Sequence, residues 1–257
     1  MSNPHGTPLW YELMTRDPAA AQRFYEAVIG WRFGEPPPPG SAMDYRMIGA
    51  ADGLVGGVFT LTDEMCAHGA RPAWLMYVGV EDVDAAAAAI TTAGGRQFVA
   101  PFDIPDVGRI AMLADPQGAP FYLMRGASDA DSTVYAPDRP GHGAWHELHA
   151  SDGPAATAFY AHHFGWGLGT AMDMGAEGVY QLMTCGGRDL GGIMTDRRSE
   201  RPAWLIYFRV DGIEAAAQRI TAAGGQVVHG PMEVPGGGWI VNGIDPDGAL
   251  FALTGTR

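Results

Sequence analysis

The chain has 257 residues, of which 47% are hydrophobic and 18% charged, enough for one large or two small folded domains. Its net charge of −13 without a basic cluster argues against a nucleic-acid partner, and no apolar run reaches the roughly 18 residues that a membrane span needs. Cys66 and Cys185 form no CxxC pair and indicate a reducing compartment, so we expect a cytoplasmic protein.

The first half alternates strand and helix patterns. LWYELMT at 9–15 alternates like a strand, and DPAAAQRFYEAVIG at 17–30 predicts a helix that Asp17 caps and Gly30 ends. Short strands follow at YRMIG and LVGGVFTL. The second series is a strand at WLMYVGV, a helix at DVDAAAAAITTAGG, and strands near GRQFVA, GRIAML and PFYLM. Each series is a βαβββ module.

The second half repeats the first. WYELMTRDPAAAQRFYEAVIGW, which begins at Trp10, matches WHELHASDGPAATAFYAHHFGW, which begins at Trp145. Tyr45 matches Tyr180, RPAWLMYVGV matches RPAWLIYFRV, and DPQGAPF matches DPDGALF. The chain is therefore a tandem duplication.

The duplication predicts an α+β fold of four βαβββ modules, which form two eight-stranded, half-open, barrel-like sheets. We expect domain 1 at residues 1–125, with modules at 8–61 and 73–125, and domain 2 at 143–257, with modules at 143–196 and 203–257. The polar, Gly- and Pro-rich stretch 126–142 reads as a linker. Two pairings of the modules satisfy the pattern: within each half, or across the two halves.

The segments RDPAAAQRFYEAVIGW, VEDVDAAAAAI and DPQGAPF resemble the vicinal oxygen chelate superfamily, which contains glyoxalase I, bleomycin-resistance proteins and extradiol dioxygenases. The doubled GTPLWYEL and RPAWLMYV pattern resembles its two-domain CFP30B-like subgroup. The resemblance covers nearly the whole chain. It implies a concave cavity on each sheet, whereas the chemistry has to come from individual residues because this fold hosts many reactions.

The family usually holds a divalent metal in the cavity with His and Glu ligands from the first and last strands of each module. The resemblance assigns these ligand positions to Trp10, Leu75, Tyr122 and the region of Phe59, and in the second half to Trp145, Leu205, Ala252 and the region of Met194. None of these side chains is a good ligand for Zn²⁺, Ni²⁺, Mn²⁺ or Fe²⁺. We therefore predict the cavity without its usual metal.

Strand alternation selects the residues that face the cavity. If Trp10 faces inward, Glu12 and Met14 do too, and in the second half Trp145, Glu147 and His149 share that face, while His146 points to the helices. The next strand adds Leu75 and Tyr77, or Leu205 and Tyr207. Each half thus has an inward Trp, Glu and Tyr.

Two interpretations of the glutamates stay open. An apolar surrounding raises the pKa of a carboxyl group and favours a general acid or base, which makes Glu12, Glu147, Tyr77 and Tyr207 candidate catalytic residues. Alternatively, each Glu is a structural acceptor for a Tyr hydroxyl or a backbone N–H and braces two strands. The presence of the Glu in both halves suits a brace.

Differences between the halves point to the second half as the reactive one. His149 replaces Met14, His229 replaces Val99, and Trp239 stands where the first half has Arg109. A Glu147–His149 pair suits proton transfer because histidine titrates near neutral pH. His149 is the fifth candidate catalytic residue. The predicted ligand contacts are Trp10, Met14, Leu75, Arg109, Tyr122, Trp145, Leu205, His229 and Trp239. For each histidine and for Arg109, a solvated surface position is the alternative.

Three functions fit the sequence. The first is a metal-independent enzyme, of isomerase, lyase or hydroxylase-like type, that acts on a small carbonyl or aromatic molecule without a cofactor. The second is a protein that binds or sequesters a flat, cationic ligand, as bleomycin-resistance proteins do. The third is a glyoxalase or dioxygenase with one divalent metal in the second domain, held by Glu147, His149 and His229. We expect a small-molecule ligand, no nucleic acid or membrane partner, and a monomer or homodimer.

Overall fold

The first half of the chain folds into two βαβββ modules. The computed structural model describes residues 3–38, 41, 43–196 and 201–257. The elements of the first half are β1 (Pro8–Thr15), α1 (Pro18–Val28), β2 (Arg32–Phe33), β3 (Tyr45–Ala50), β4 (Gly53–Thr60), α2 (Asp63–Ala67), β5 (Ala73–Gly79), α3 (Val83–Thr92), β6 (Arg96–Ile104), β7 (Gly108–Ala114) and β8 (Pro120–Gly126). The short helix α2, capped by the Thr62 side chain, lies in the segment that the second half lacks.

The second half repeats this order without a counterpart of α2 among its described residues. Its elements are β9 (Gly143–Ala150), α4 (Gly153–Phe164), β10 (Gly167–Asp173), β11 (Val179–Cys185), β12 (Arg188–Thr195), β13 (Ala203–Gly212), α5 (Ile213–Ala222), β14 (Gln226–Glu233), β15 (Trp239–Ile244) and β16 (Leu250–Thr256). In the part of the chain that the structure describes, no helix is both long and apolar enough to cross a membrane.

Each half forms one mixed eight-stranded sheet. The strand order is β2-β3-β4-β1-β5-β8-β7-β6 in the first sheet and β10-β11-β12-β9-β13-β16-β15-β14 in the second. The first strand of each module runs parallel to its last strand, as in β1 with β4 and β13 with β16, and the other pairings within a module are antiparallel. Neither sheet closes into a barrel. The predicted α+β fold of four modules in two half-open sheets is confirmed.

The helices begin where the sequence predicts. The Asp17 carboxylate accepts a hydrogen bond of 2.9 Å from Ala20 N, and the Asp152 carboxylate accepts one of 3.0 Å from Ala155 N. These caps satisfy backbone donors that have no partner within the helix. At the other end of α4, Gly165 adopts the left-handed conformation with φ of 65°, which suits a residue without a Cβ.

The chain also divides into two compact units that each contain segments of both halves. One unit contains the segment up to Leu9 with Met76–Ser132 and the described part of Trp145–Leu205, and the other contains Trp10–Leu75, Thr133–Ala144 and Ile206–Arg257. The sheet order thus pairs successive modules, whereas the compact units combine a module from each half. The domain boundaries given by the duplication stay a prediction.

Each unit contains the same buried chain of hydrogen bonds. In one, Trp204 Nε1 donates to the Tyr160 hydroxyl at 3.0 Å, and this hydroxyl donates to Asp115 Oδ2 at 3.1 Å. Burial raises the pKa of Asp115, although hydrogen bonds from backbone N–H groups and from Tyr160 oppose the rise. In the other unit, Trp74, Tyr25 and Asp245 repeat this arrangement at 2.8 and 3.1 Å. The Trp, Tyr and Asp of this chain come from the recurring dipeptides Ala-Trp, Phe-Tyr and Asp-Pro, which therefore help to hold the core of each unit together.

Candidate functional site

The candidate site in the second half begins with a hydrogen-bonded triad. Trp145 Nε1 donates to the Tyr180 hydroxyl at 2.8 Å, and this hydroxyl donates to Glu147 Oε2 at 3.0 Å. Trp145 and Glu147 lie on β9, two residues apart, so they share a face. Tyr180 lies on β11, which is separated from β9 by β12. The triad therefore spans three neighbouring strands.

A pair of glycines in β12 makes this reach possible. Gly192 lies opposite Glu147 in the ladder, and a Cβ on Gly192 would overlap the Tyr180 ring. On the other side of the strand, a Cβ on Gly191 would overlap the His146 carbonyl oxygen. Gly192 thus leaves room for the aromatic ring to lie across β12, and Gly191 permits the close approach of β9 and β12.

His149 extends the triad at its glutamate end. His149 Nε2 lies 2.7 Å from Glu147 Oε1, and its Nδ1 lies 3.1 Å from Asp196 Oδ2, just beyond β12. Both ring nitrogens therefore face carboxylate oxygens, an arrangement that the doubly protonated imidazolium satisfies. Burial lowers the pKa of His149, but the hydrogen bonds and charges of Glu147 and Asp196 outweigh burial, so the pKa is raised overall.

The first half contains the triad without the histidine. Trp10 Nε1 donates to the Tyr45 hydroxyl at 2.7 Å, and this hydroxyl bonds to the Glu12 carboxylate. Burial, followed by the Glu12 charge, raises the pKa of Tyr45 well above its usual value, so the phenol stays protonated. A Cβ on Gly57 would overlap the Tyr45 ring, just as a Cβ on Gly192 would overlap the Tyr180 ring in the second half. Met14 takes the place of His149.

The Trp, Leu and Ala residues at the family's ligand positions do not fit a divalent metal. The indole nitrogens of Trp10 and Trp145 are donors, and both donate to tyrosine hydroxyls. Leu75 and Leu205 are buried and apolar, and Ala252 carries no donor atom. Among the described residues, no group of three or more His, Cys, Asp or Glu is arranged to hold a metal ion. This includes the alternative set that we predicted around His149.

The remaining predicted tyrosines and His229 lie on the second module of each half. Tyr77 on β5 stacks parallel on Tyr122 of β8, with ring centroids 4.2 Å apart. In the second half, Tyr207 on β13 is buried and lies opposite Ala252. His229 on β14 is exposed and pairs in the ladder with Asn242. The roles predicted for these residues, and for the buried Met14, stay predictions.

Arg109 and Trp239 lie against the helix of their own module. The Arg109 guanidinium donates to the Asp84 carboxylate of α3 at 2.6 and 2.8 Å and forms an ion pair with Asp103 at 3.1 Å. The Trp239 ring lies under the Arg257 guanidinium, at 4.8 Å, and Arg257 in turn donates to Glu214 of α5 at 2.8 Å. Both side chains thus have structural partners on the helix side, and their predicted ligand contacts stay untested.

Three residues of the site were not among the predicted site residues. Tyr45 and Tyr180 bond to the glutamates, and Asp196 bonds to His149. The sequence did contain a signal for the tyrosines because they recur at matching positions in the two halves. Asp196 has no such signal, since the matching residue in the first half is Leu61.

Comparison with known families identifies the class of this protein. Residues 11–124 match the model of the glyoxalase-like domain, and residues 142–253 match the glyoxalase/bleomycin resistance protein/dioxygenase superfamily. The chain therefore belongs to this superfamily. It is 32% identical over 249 residues to "Putative glyoxylase CFP32" of Mycobacterium tuberculosis, which covers 96% of this chain and 94% of that protein. It is 30% identical over 270 residues to the anthracycline biosynthesis protein DnrV of Streptomyces peucetius, at 98% and 94% coverage.

Solved structures share the fold at low sequence identity. The Mn(II)-bound glyoxalase from Novosphingobium aromaticivorans superimposes with a TM-score of 0.68 at 16% identity, over 98% of this chain and 82% of that one. A variant of homoprotocatechuate 2,3-dioxygenase from Brevibacterium fuscum gives 0.68 at 14% identity, over 98% and 72%. These likenesses establish the shared architecture alone.

Proposed function

We propose that the protein is an enzyme that transfers protons on a small carbonyl or aromatic molecule at Glu147 and His149, without a divalent metal. The observation that carries this proposal is the placement of His149 between two carboxylates. Its side chain is 28% exposed and that of Glu147 is 15% exposed, so both are partly open to a ligand. A structural brace alone requires neither this exposure nor a third titratable group.

The contacts suggest a division of roles. A hydrogen bond from the Tyr180 hydroxyl holds Glu147 Oε2, and a hydrogen bond from His149 Nε2–H holds Oε1. Together they fix the plane of the carboxylate. The fixed carboxylate is partly exposed, so Glu147 is suited by position to accept a proton from a carbon next to a carbonyl. In an α-hydroxy ketone, return of this proton to the former carbonyl carbon, together with transfer of the hydroxyl proton to the carbonyl oxygen, completes an isomerisation with no oxidant. Tyr207, Glu12 and Tyr77 each remain proposed catalytic residues.

An aromatic substrate suits the surroundings of the carboxylate. The partly exposed Trp145 ring provides a flat apolar face beside Glu147. Two relatives are named as anthracycline biosynthesis proteins, and anthracyclines are polycyclic aromatic ketones. Aromatic ketones with an acidic C–H beside the carbonyl are therefore the first compounds to try.

The test is proton exchange rather than consumption of a guessed substrate. Chelator-treated protein in D₂O is mixed with 2-hydroxyacetophenone and related aromatic ketones, and loss of the C–H signal is followed by NMR. We expect exchange that Glu147→Gln lowers by about a hundredfold or more, whereas Glu64→Gln, the same change on the exposed helix α2, leaves it unaffected. Equal exchange by Glu147→Gln and the unmodified chain contradicts the proposal. So does exchange that starts only when a metal is added.

A binding role is the second candidate, and the first half favours it. There the position equivalent to His149 beside the Trp10–Tyr45–Glu12 triad is Met14, whose thioether cannot hold a proton. Calorimetry with the same ketones separates the two candidates. Saturable heat without exchange of the C–H proton supports a binding protein and contradicts the enzyme.

A further inference from the structure

Two positions near the end of the triad differ together between the halves. The second half has His149 and Asp196, and the first half has Met14 and Leu61. The backbone is equivalent at these positions, because Asp196 N donates to Ala150 O at 2.8 Å and Leu61 N donates to Thr15 O at 2.8 Å. The difference therefore lies in the side chains alone.

The exchange converts a polar, open place into an apolar, closed one. The His149 and Asp196 side chains are 28% and 26% exposed. Met14 and Leu61 expose only 7% and 5% of their residue surface. A histidine next to Leu61, or an aspartate next to Met14, would be a buried polar group without this partner, which costs free energy. The two positions are thus expected to change as a pair.

We infer that Asp196 is a positioning residue for His149. Of the two triads, the one in the second half is then the one whose glutamate lies beside a proton-holding His–Asp pair. This assignment deepens the proposed function and depends on it for its catalytic meaning. The Trp–Tyr–Glu triad is present in both halves, while the His149–Asp196 pair adds to Glu147 an imidazole partner at the position where the first half has Met14.

The geometry explains how Asp196 acts. The Asp196 carboxylate accepts a hydrogen bond from His149 Nδ1–H. This bond fixes the imidazole ring so that Nε2–H points at Glu147. Its negative charge also stabilises the imidazolium. Among the described residues, the titratable groups that face His149 are Glu147 on the same strand, Tyr180 on β11 through its bond to Glu147, and Asp196 beyond β12. Removal of Asp196 leaves the imidazolium with one acceptor and frees the ring to rotate.

The test is a titration of individual histidines by NMR, which needs no substrate. Asp196→Asn should lower the pH midpoint of His149, whereas Asp63→Asn on α2 should leave it in place. In the first half, Met14→His introduces a histidine, and the double change Met14→His with Leu61→Asp should raise the midpoint of that histidine above its value in the single variant. An unchanged His149 midpoint in Asp196→Asn overturns the inference. Equal midpoints in the single and double variants also overturn it.

Folding and turnover are separate measurements. Circular dichroism selects the pH range in which each variant is folded, and Asp196→Glu, which keeps the charge, should restore most of the His149 midpoint. In the exchange assay, Asp196→Asn should lower kcat and shift its pH profile with KM nearly unchanged. A chain without exchange activity contradicts the proposed function, while the NMR titrations still decide whether Asp196 positions His149.

Discussion

Replacement of Gly192 by alanine tests whether the bare strand position holds the site together. The added methyl group would lie 2.5 Å from the Tyr180 hydroxyl oxygen and closer still to its ring carbons. Because the ring lies flat across β12, it has to move. That movement breaks the bonds from Trp145 and to Glu147, which the hydroxyl makes at 2.8 and 3.0 Å.

The expected loss follows from these two effects. Overpacking of a well-packed site costs about 1–3 kcal/mol, and the two hydrogen bonds contribute about 1 kcal/mol each. Their partial overlap gives a loss of roughly 2–4 kcal/mol in the free energy of unfolding. For a chain of this size, the melting temperature should fall by roughly 5–15 °C. Thermal and denaturant unfolding, followed by circular dichroism, measure both quantities.

Two further variants make the measurement decisive. Gly57→Ala places the same methyl group against the Tyr45 ring of the first half and should cost a similar amount. Gly126→Ala, at the end of β8, meets only a methionine methyl group at 4.0 Å and should change the free energy of unfolding by less than about 0.5 kcal/mol. If Gly192→Ala is no less stable than Gly126→Ala, the ring does not depend on the glycine and the reasoning fails.

Three other outcomes can be measured independently. Because the pKa of His149 is raised, its protonated form stabilises the fold fully below the unfolded pKa of 6.5, and this stabilisation is lost as the pH rises through the folded pKa. Glu147→Gln should reduce this loss of stability with rising pH in a series of unfolding experiments. Burial lowers the pKa of His146 to about 4, so an NMR titration should find its midpoint near that pH, and stability should fall by roughly 3 kcal/mol as the pH drops from 6.5 to 4. Tyr160→Phe leaves a buried carboxylate oxygen and an indole N–H unsatisfied and should cost about 2–4 kcal/mol in denaturant unfolding, more than a surface substitution.

The fold was predictable because each module repeats the same periodic pattern. Alternation and helix caps locate the strands and helices, and the duplication supplies each element twice, so an error in one copy is corrected by the other. The helix α2 was missed because its five residues, Asp63–Ala67, carry no apolar periodicity and have no copy in the second half. The combination of modules into compact units depends on contacts such as Tyr25 with Asp245, which no local pattern encodes.

The site was predictable where it lies on one strand. Alternation along β9 correctly places Glu147 and His149 on the same face, and their side chains bond to each other. The partners on other strands could not be found in this way. Tyr180 reaches Glu147 only because Gly192 has no side chain, and Asp196 lies beyond the strand end, where an acidic residue is typical of a solvated loop.

The duplication itself offers a physical criterion that separates braces from reactive groups. A group that stabilises the fold is needed wherever the fold occurs, so it is expected in both copies, as with the Trp–Tyr–Asp chain and the Trp and Tyr of each triad. The glutamate of the triad also occurs in both copies, but only Glu147 bonds to a histidine. A group that serves chemistry costs stability when it is open and charged, and only the copy that performs the reaction has reason to keep it. His149 with Asp196 meets this second description, because the other half fills the same two places with the buried side chains of Met14 and Leu61.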